Sequence, residues 1–187
     1  AKEQLEEARR KMGHLLGVDE KDRILFTSSG TESINLAIKG FALANKNKGN
    51  HLITTSIEHK SVLETCSFLE KQGFKVTYLP VDKFGIVDLD ELKKAITKNT
   101  MMISIQYANN EIGTIQPINE IAKIAKSKGI VFHSDACQAG YLNLDVNSLG
   151  IDLLSLNSGK IYGPKGVGLL YVGDGIKLEP QIQGGGQ

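Results

Sequence analysis

Apolar positions recur along this chain with two alternating periods, one typical of helices and one of short buried strands. Helical spacing marks residues 1–17, about 31–48, 59–72, a short segment within 87–97, and 117–128. Apolar runs that predict strands lie at 23–27, 51–55, 74–79, 101–105, 130–132, 152–156 and 167–172. This alternation predicts an α/β domain with a mainly parallel sheet that helices cover on both faces.

The connection between the last two predicted strands differs from the others, because it is a short loop rich in Gly and Pro. A parallel connection needs a crossover of a dozen or more residues, so we expect one antiparallel strand at or near the end of the strand order. No internal repeat or interdomain linker interrupts the pattern. We expect a single domain over residues 1–187, truncated at both ends and cut from a longer protein.

The composition excludes several functional classes. The 187 residues are 41% apolar and 23% charged, which is typical of a globular domain and not of a disordered one. A net charge of +1 gives no electrostatic reason to expect nucleic acid or an anionic membrane as a partner. Two cysteines, Cys66 and Cys137, cannot form a disulfide framework and lack metal-type spacing to His133, so we predict a cytoplasmic protein without a metal site.

Polar residues follow four of the predicted strands, and each has a plain alternative to a functional role. Thr31 begins a helix after a Ser-Ser-Gly turn, which suits a phosphate or is an ordinary cap. His59 could stack on a planar ligand or is a surface histidine. Asp135 is a ligand carboxylate or a helix cap. Lys160, between small residues, is a desolvated nucleophilic amine or a solvated loop lysine.

Taken together, these residues favour the functional interpretation. Thr31, His59, Asn110, Asp135 and Lys160 would each lie just past the end of a different strand. In a parallel sheet those ends converge on one crevice. An anion site, a planar stacker, a carboxylate and an amine are the groups that hold pyridoxal phosphate, with Lys forming a Schiff base and Asp pairing the pyridinium nitrogen.

Five ordered blocks resemble the class V aminotransferase-type enzymes and, within them, the cysteine desulfurases of iron–sulfur cluster assembly. The blocks are residues 29–33, 58–62, 109–118, 133–138 and 160–168, and the closing residues 184–187 resemble the start of another family block. The resemblance covers essentially the whole chain. It implies the large domain of a PLP-dependent transferase of fold type I, a three-layer α/β sandwich.

The resemblance also implies roles for residues around the cofactor ring. Lys160 would carry the cofactor and later shuttle a proton, and Asp135 would pair the pyridinium nitrogen. His59 would stack on the ring and assist proton transfer. Gln138 would donate to the ring oxygen, and Asn110 would orient the ring and the substrate.

At the phosphate, the resemblance implies Gly30 and Thr31 as ligands. The family usually adds a His immediately before the lysine and a Ser three residues before it. This chain has Gly159 and Asn157 at those positions. Asn157 and Ser158 are therefore the candidate replacement donors.

The activity implied by the resemblance is conversion of L-cysteine to L-alanine, with sulfur passing as an enzyme persulfide to a scaffold or carrier protein, in a homodimer. The alternatives are a selenocysteine lyase, another class V enzyme, or a non-catalytic PLP-fold scaffold. The family's nucleophilic cysteine and carboxylate-binding arginine lie beyond this domain, and neither Cys66 nor Cys137 matches that cysteine. We therefore expect the 187-residue chain alone to be inactive.

Overall fold

A seven-stranded sheet runs through the part of the chain that the computed structural model describes, residues 2–18 and 23–184. The strands are β1 (Ile24–Thr27), β2 (His51–Thr55), β3 (Lys75–Leu79), β4 (Thr100–Ser104), β5 (Val131–Asp135), β6 (Leu153–Asn157) and β7 (Gly168–Val172). They lie in the order β1-β7-β6-β5-β4-β2-β3. Among these described strands, β7 alone runs opposite to the other six, so the predicted antiparallel strand is confirmed, second from one edge.

Helices cover both faces of the sheet. They are α1 (Lys2–Leu15), α2 (Gly30–Asn35), α3 (Phe41–Ala44), α4 (Lys60–Lys71), α5 (Leu89–Ala95), α6 (Ile118–Ser127) and α7 (Val146–Leu149). The π-helical residues Leu36–Gly40 join α2 to α3. Within the described ranges, no helix combines the length and the apolar character needed to cross a membrane.

Two apolar clusters, one on each face of the sheet, make up the core. Consecutive residues of β2 belong to opposite clusters, Leu52 to one and Ile53 to the other. The cluster that contains Ile53 includes side chains of α5, α6 and α7, whereas that of Leu52 includes α2, α3 and α4. The arrangement is a three-layer α/β sandwich, as the sequence predicts. Cys66, on the apolar face of α4, is fully buried.

Some element boundaries differ from those predicted. The helix expected over 31–48 begins at Gly30, passes through the π-helical turn and ends at Ala44. Pro117 caps α6 from outside instead of beginning it. Asp135, expected just after a strand, is the last residue of β5, and the short helix α7 was not predicted.

One glycine at the start of β7 allows a close approach to the turn that precedes α2. A Cβ on Gly168 would lie 2.4 Å from the carbonyl carbon and oxygen of Ser29, so a larger residue cannot occupy this position without displacing backbone. The pairing of Thr27 with Gly168 therefore holds the Ser28–Ser29 turn, which leads into α2, against β7.

Candidate active site

A cavity lies at the carboxyl edge of the sheet, where β1, β2, β4, β5 and β6 end. Its lining consists of Gly30, Thr31, Ile34, His59, Ser61, Gln106, Ala108, Asn110, Asp135, Cys137, Gln138, Asn157 and Lys160. Eight of the nine site residues predicted from the sequence belong to this lining, and Ser158 does not. The geometry thus brings the predicted residues together, while their individual roles remain predictions.

The beginning of α2 forms one wall of the cavity. Ser29 caps the helix, because its hydroxyl oxygen accepts the N–H of Glu32 at 3.2 Å. The N–H groups of Gly30 and Thr31 precede the first bond within the helix, and such groups bind anions. A Cβ on Gly30 would lie 2.6 Å from Cys137 Sγ and 3.0 Å from Asn157 Cβ. Any side chain at position 30 would therefore crowd Cys137 and Asn157.

His59 stands at the beginning of α4 and is the N-cap residue of that helix. Its Nδ1 accepts the backbone N–H of Ser61 at 3.1 Å, and the Ser61 hydroxyl oxygen lies 2.6 Å from the same nitrogen. The imidazole is exposed at the cavity, so one face of a planar ligand could lie against it.

Asp135 is the buried carboxyl group of the cavity, with 7% of its surface exposed. Burial raises its pKa, while the N–H of Cys137, which donates to Oδ1 at 3.0 Å, and the charge of His59 act in the opposite direction. A buried carboxylate is stabilised by a nearby cation. This position therefore suits a protonated ring nitrogen of a ligand.

A second carboxyl group, to which the sequence analysis gave no role, belongs to Glu58, the residue before His59. Glu58 is buried, and its oxygens accept the Thr55 hydroxyl at 2.7 Å and the Gln106 N–H at 3.0 and 3.1 Å. Burial raises the pKa of Glu58 to about 8, although these hydrogen bonds oppose the shift and the charge of Asp135 adds to it. Glu58 ties the end of β2 to the residues that follow β4.

The loop after β6 carries Lys160 at the end of a 3₁₀ turn, Ser158–Lys160. Lys160 is exposed, so the burial expected for a desolvated lysine is not observed. The Asn157 side-chain oxygen accepts the Gly159 N–H at 3.2 Å, which shapes the turn. The Ser158 hydroxyl donates to the Val167 carbonyl at 2.9 Å, and this bond within the loop explains its place outside the cavity lining.

Both cysteines carry thiols that resist ionisation. Burial raises the pKa of Cys66 to about 12. Burial and the charge of Asp135 raise the pKa of Cys137, although Lys160 opposes the shift. A nucleophilic thiolate needs a lowered pKa, so this environment supports the expectation that neither cysteine is the sulfur nucleophile.

Sequence reasoning gave no role to five further residues of the cavity lining. They are Ile34, Ser61, Gln106, Ala108 and Cys137. Gln106 has the clearest sequence signal of a site residue, because it is a polar residue directly after the predicted strand 101–105. The other predicted site residues likewise follow strands. Ser61, two residues after His59, had the signal of a helix-start hydroxyl.

The group types in the cavity fit pyridoxal phosphate. The start of α2 offers N–H donors for a phosphate, and the close approach at Gly30 leaves its backbone uncovered by a side chain. The exposed imidazole of His59, the buried carboxyl of Asp135 and the amine of Lys160 complete the set that this cofactor requires.

Comparison with known proteins assigns the family. The class-V aminotransferase model matches residues 1–187. The chain belongs to the class-V aminotransferase family. The solved structures most like this class-V chain include a NifS-like protein, with a TM-score of 0.93 and 44% identity over 97% of the chain and 50% of that protein. SspA in complex with cysteine has a TM-score of 0.93 and 47% identity over 97% of the chain and 53% of SspA.

Curated relatives of this class-V chain include several proteins named cysteine desulfurase. Cysteine desulfurase IscS of Dictyoglomus turgidum is 56% identical over 184 residues, which are 98% of the chain and 46% of that protein. Cysteine desulfurase IscS of Methanosarcina thermophila is 58% identical over 181 residues, which are 96% of the chain and 45% of that protein. The chain spans about half the length of the curated relatives it matches.

Proposed function

We propose that this chain is the PLP-binding large domain of a cysteine desulfurase, which converts L-cysteine to L-alanine and passes the sulfur on as an enzyme persulfide for iron–sulfur cluster assembly. The observation that carries the proposal is the convergence of eight predicted site residues on one cavity. The names of relatives 56–58% identical to the chain support it, and so does the cysteine bound in SspA.

The residues that would hold the cofactor divide by the part of it that they bind. Gly30 and Thr31 would donate to the phosphate from the start of α2, with the Asn157 amide as a further donor. His59 would lie against the ring, and Gln138 would donate to the ring oxygen. Lys160 would hold the cofactor covalently.

When bound, pyridoxal phosphate supplies an electron sink that weakens the bonds to the substrate α-carbon. Asp135 would keep a proton on the ring nitrogen by charge pairing, and this pairing would offset the burial of its own carboxylate. Lys160 and His59 would move protons to and from the substrate. Asn110, at the mouth of the cavity, would orient the substrate.

We also propose a cytoplasmic homodimer that passes sulfur to a scaffold or carrier protein. The loops that carry Asn110, Gln138 and Lys160 also expose apolar side chains, which are candidate contacts for a protein partner. They include Ile112, Tyr141 and Tyr162, which are 60%, 73% and 97% exposed. Sedimentation of the intact protein, alone and with a candidate acceptor, tests both associations.

Borohydride reduction of the intact protein loaded with pyridoxal phosphate tests the assignment of Lys160. Peptide mapping should find the pyridoxyl group on Lys160, and Lys165→Ala, the matched control, should leave the labelling unchanged. Sulfide and alanine release from L-cysteine, compared with selenide release from L-selenocysteine, tests the substrate. Label on Lys165, or turnover of selenocysteine alone, would contradict the proposal.

A further inference from the structure

The hydroxyl of Ser61 contacts the imidazole of His59 inside the cavity. Ser61 is 7% exposed and belongs to the cavity lining. Its Oγ lies 2.6 Å from His59 Nδ1, and its backbone N–H donates to the same nitrogen at 3.1 Å. Two groups of one residue therefore meet a single ring nitrogen.

We propose that Ser61 is a positioning residue that holds His59 in the tautomer with its proton on Nε2 and fixes the orientation of the ring. A backbone N–H can only donate, so Nδ1 must present a lone pair to it. In a neutral imidazole the proton is then on Nε2. The Ser61 hydroxyl can rotate to donate to the same lone pair, and the short O···N distance indicates such a bond.

The backbone around His59 is equally constrained. Its carbonyl oxygen accepts the N–H groups of Val62 and Leu63, at 2.9 and 3.2 Å, so the residue is fixed at the first turn of α4. With the backbone held by these bonds and Nδ1 held by Ser61, the ring cannot turn over without breaking contacts. If His59 assists proton transfer, as the proposed function requires, the N–H on Nε2 is the group that it offers, and this step rests on that proposal.

Capping alone does not require the hydroxyl. The backbone N–H of Ser61 already satisfies the helix cap, and Ala at this position would retain it. Asp, Asn, Ser or Thr at position 59 would cap the helix as well as or better than histidine. The second bond is thus directed at the imidazole, and Ser61→Ala removes it without removing the cap.

Nitrogen NMR of the intact protein with ¹⁵N-labelled histidine tests the proposal, with His59 assigned by its loss in His59→Gln. In the wild type, the neutral ring should carry its proton on Nε2. Because one hydrogen bond is lost, Ser61→Ala should change the tautomer ratio about fivefold towards Nδ1–H. Ser61→Thr, which retains a hydroxyl, should restore the wild-type ratio.

Kinetics on L-cysteine provide the second measurement. Ser61→Ala should lower kcat about fivefold with little change in KM, because the ring loses its fixed orientation even where Nε2 keeps its proton, and Ser61→Thr should recover it. A proton on Nδ1 in the wild type, or an unchanged tautomer ratio in Ser61→Ala, overturns the proposal. If the tautomer ratio of His59 changes but kcat does not, the positioning role of Ser61 is supported. The same result contradicts the proposed role of His59 in proton transfer. A proton on Nδ1 in the wild-type spectrum overturns the proposal even if a variant fails to fold.

Discussion

Gly30→Ala tests how closely the two walls of the cavity meet. The new Cβ would lie 2.6 Å from Cys137 Sγ, well inside the 3.4 Å at which ordinary contact begins. Cys137 cannot move away freely, because its N–H donates to Asp135 and its thiol lies 3.8 Å from the Ser155 carbonyl oxygen. Asn157 Cβ, at 3.0 Å, closes the other side.

Two opposing effects set the size of the change. Alanine is favoured over glycine in a helix by about 1 kcal/mol. Crowding a packed wall costs about 1–3 kcal/mol, and with two tight contacts at this position we take the upper part of that range, about 2–3 kcal/mol. We therefore expect a net loss of about 1–2 kcal/mol in the free energy of unfolding. With an m-value of about 2 kcal/mol per M, the urea midpoint should fall by about 0.5–1 M.

A double-mutant cycle isolates the contact. Cys137→Ala removes the sulfur atom, so the double variant should regain about 1 kcal/mol relative to the sum of the single changes. Gly159→Ala is the matched control, because its Cβ would meet only Asn157 Oδ1 at 3.6 Å, and its free energy of unfolding should stay within about 0.5 kcal/mol of wild type. Additive single changes, or a fully stable Gly30→Ala, would refute the reasoning.

Three further predictions concern the chemistry of the cavity. Asp135→Asn should leave the fold and cofactor binding intact but lower turnover on the order of 100-fold, because an amide cannot pair with a protonated ring nitrogen; unchanged kcat would make Asp135 only a structural residue. Burial raises the pKa of Glu58 from its ordinary 4.5 to about 8, so the folded protein retains this proton where the unfolded chain has lost it, and stability falls as pH rises through that window. Relative to Glu58→Gln, the wild type should lose on the order of 2–5 kcal/mol between pH 4.5 and 8 in urea unfolding, and parallel pH profiles would contradict this. Gly159→His, whose Cβ would make only an ordinary contact, 3.6 Å from Asn157 Oδ1, should tighten pyridoxal phosphate binding measured by equilibrium dialysis, and weaker binding would show that Gly159 does not face the phosphate.

The fold could be predicted because its sheet is buried on both faces. Strands such as β7 then appear in the sequence as short apolar runs, and the helices between them as amphipathic segments. Convergence of the site residues follows from the same topology, since β2, β4, β5 and β6 run parallel and end at one edge. The antiparallel β7 followed from the length of the loop before it.

Other features depend on tertiary contacts that a sequence does not display. Glu58 reads as a polar residue at a helix start, yet Thr55 and the Gln106 backbone enclose it. The π-helical turn before Gly40 accompanies a bond from the distant Glu179 N–H to the Gly40 carbonyl. Tyr162 has a left-handed backbone, with φ of 58°, which no local signal predicts for a tyrosine.

The polar floor beneath the cavity shows why the central strands depart from a purely apolar pattern. His133, on β5, is fully buried, and its ring nitrogens lie 2.8 Å from the Ser104 hydroxyl on β4 and 3.0 Å from the Ser155 hydroxyl on β6. Burial lowers the pKa of His133 to about 3, so a neutral ring joins three strands without introducing a buried charge. Asp135 lies two residues further along β5, on the same face. Because its neighbours are satisfied and uncharged, the carboxyl of Asp135 finds no cation in this floor, and its ionised form depends on positive charge from the cavity above.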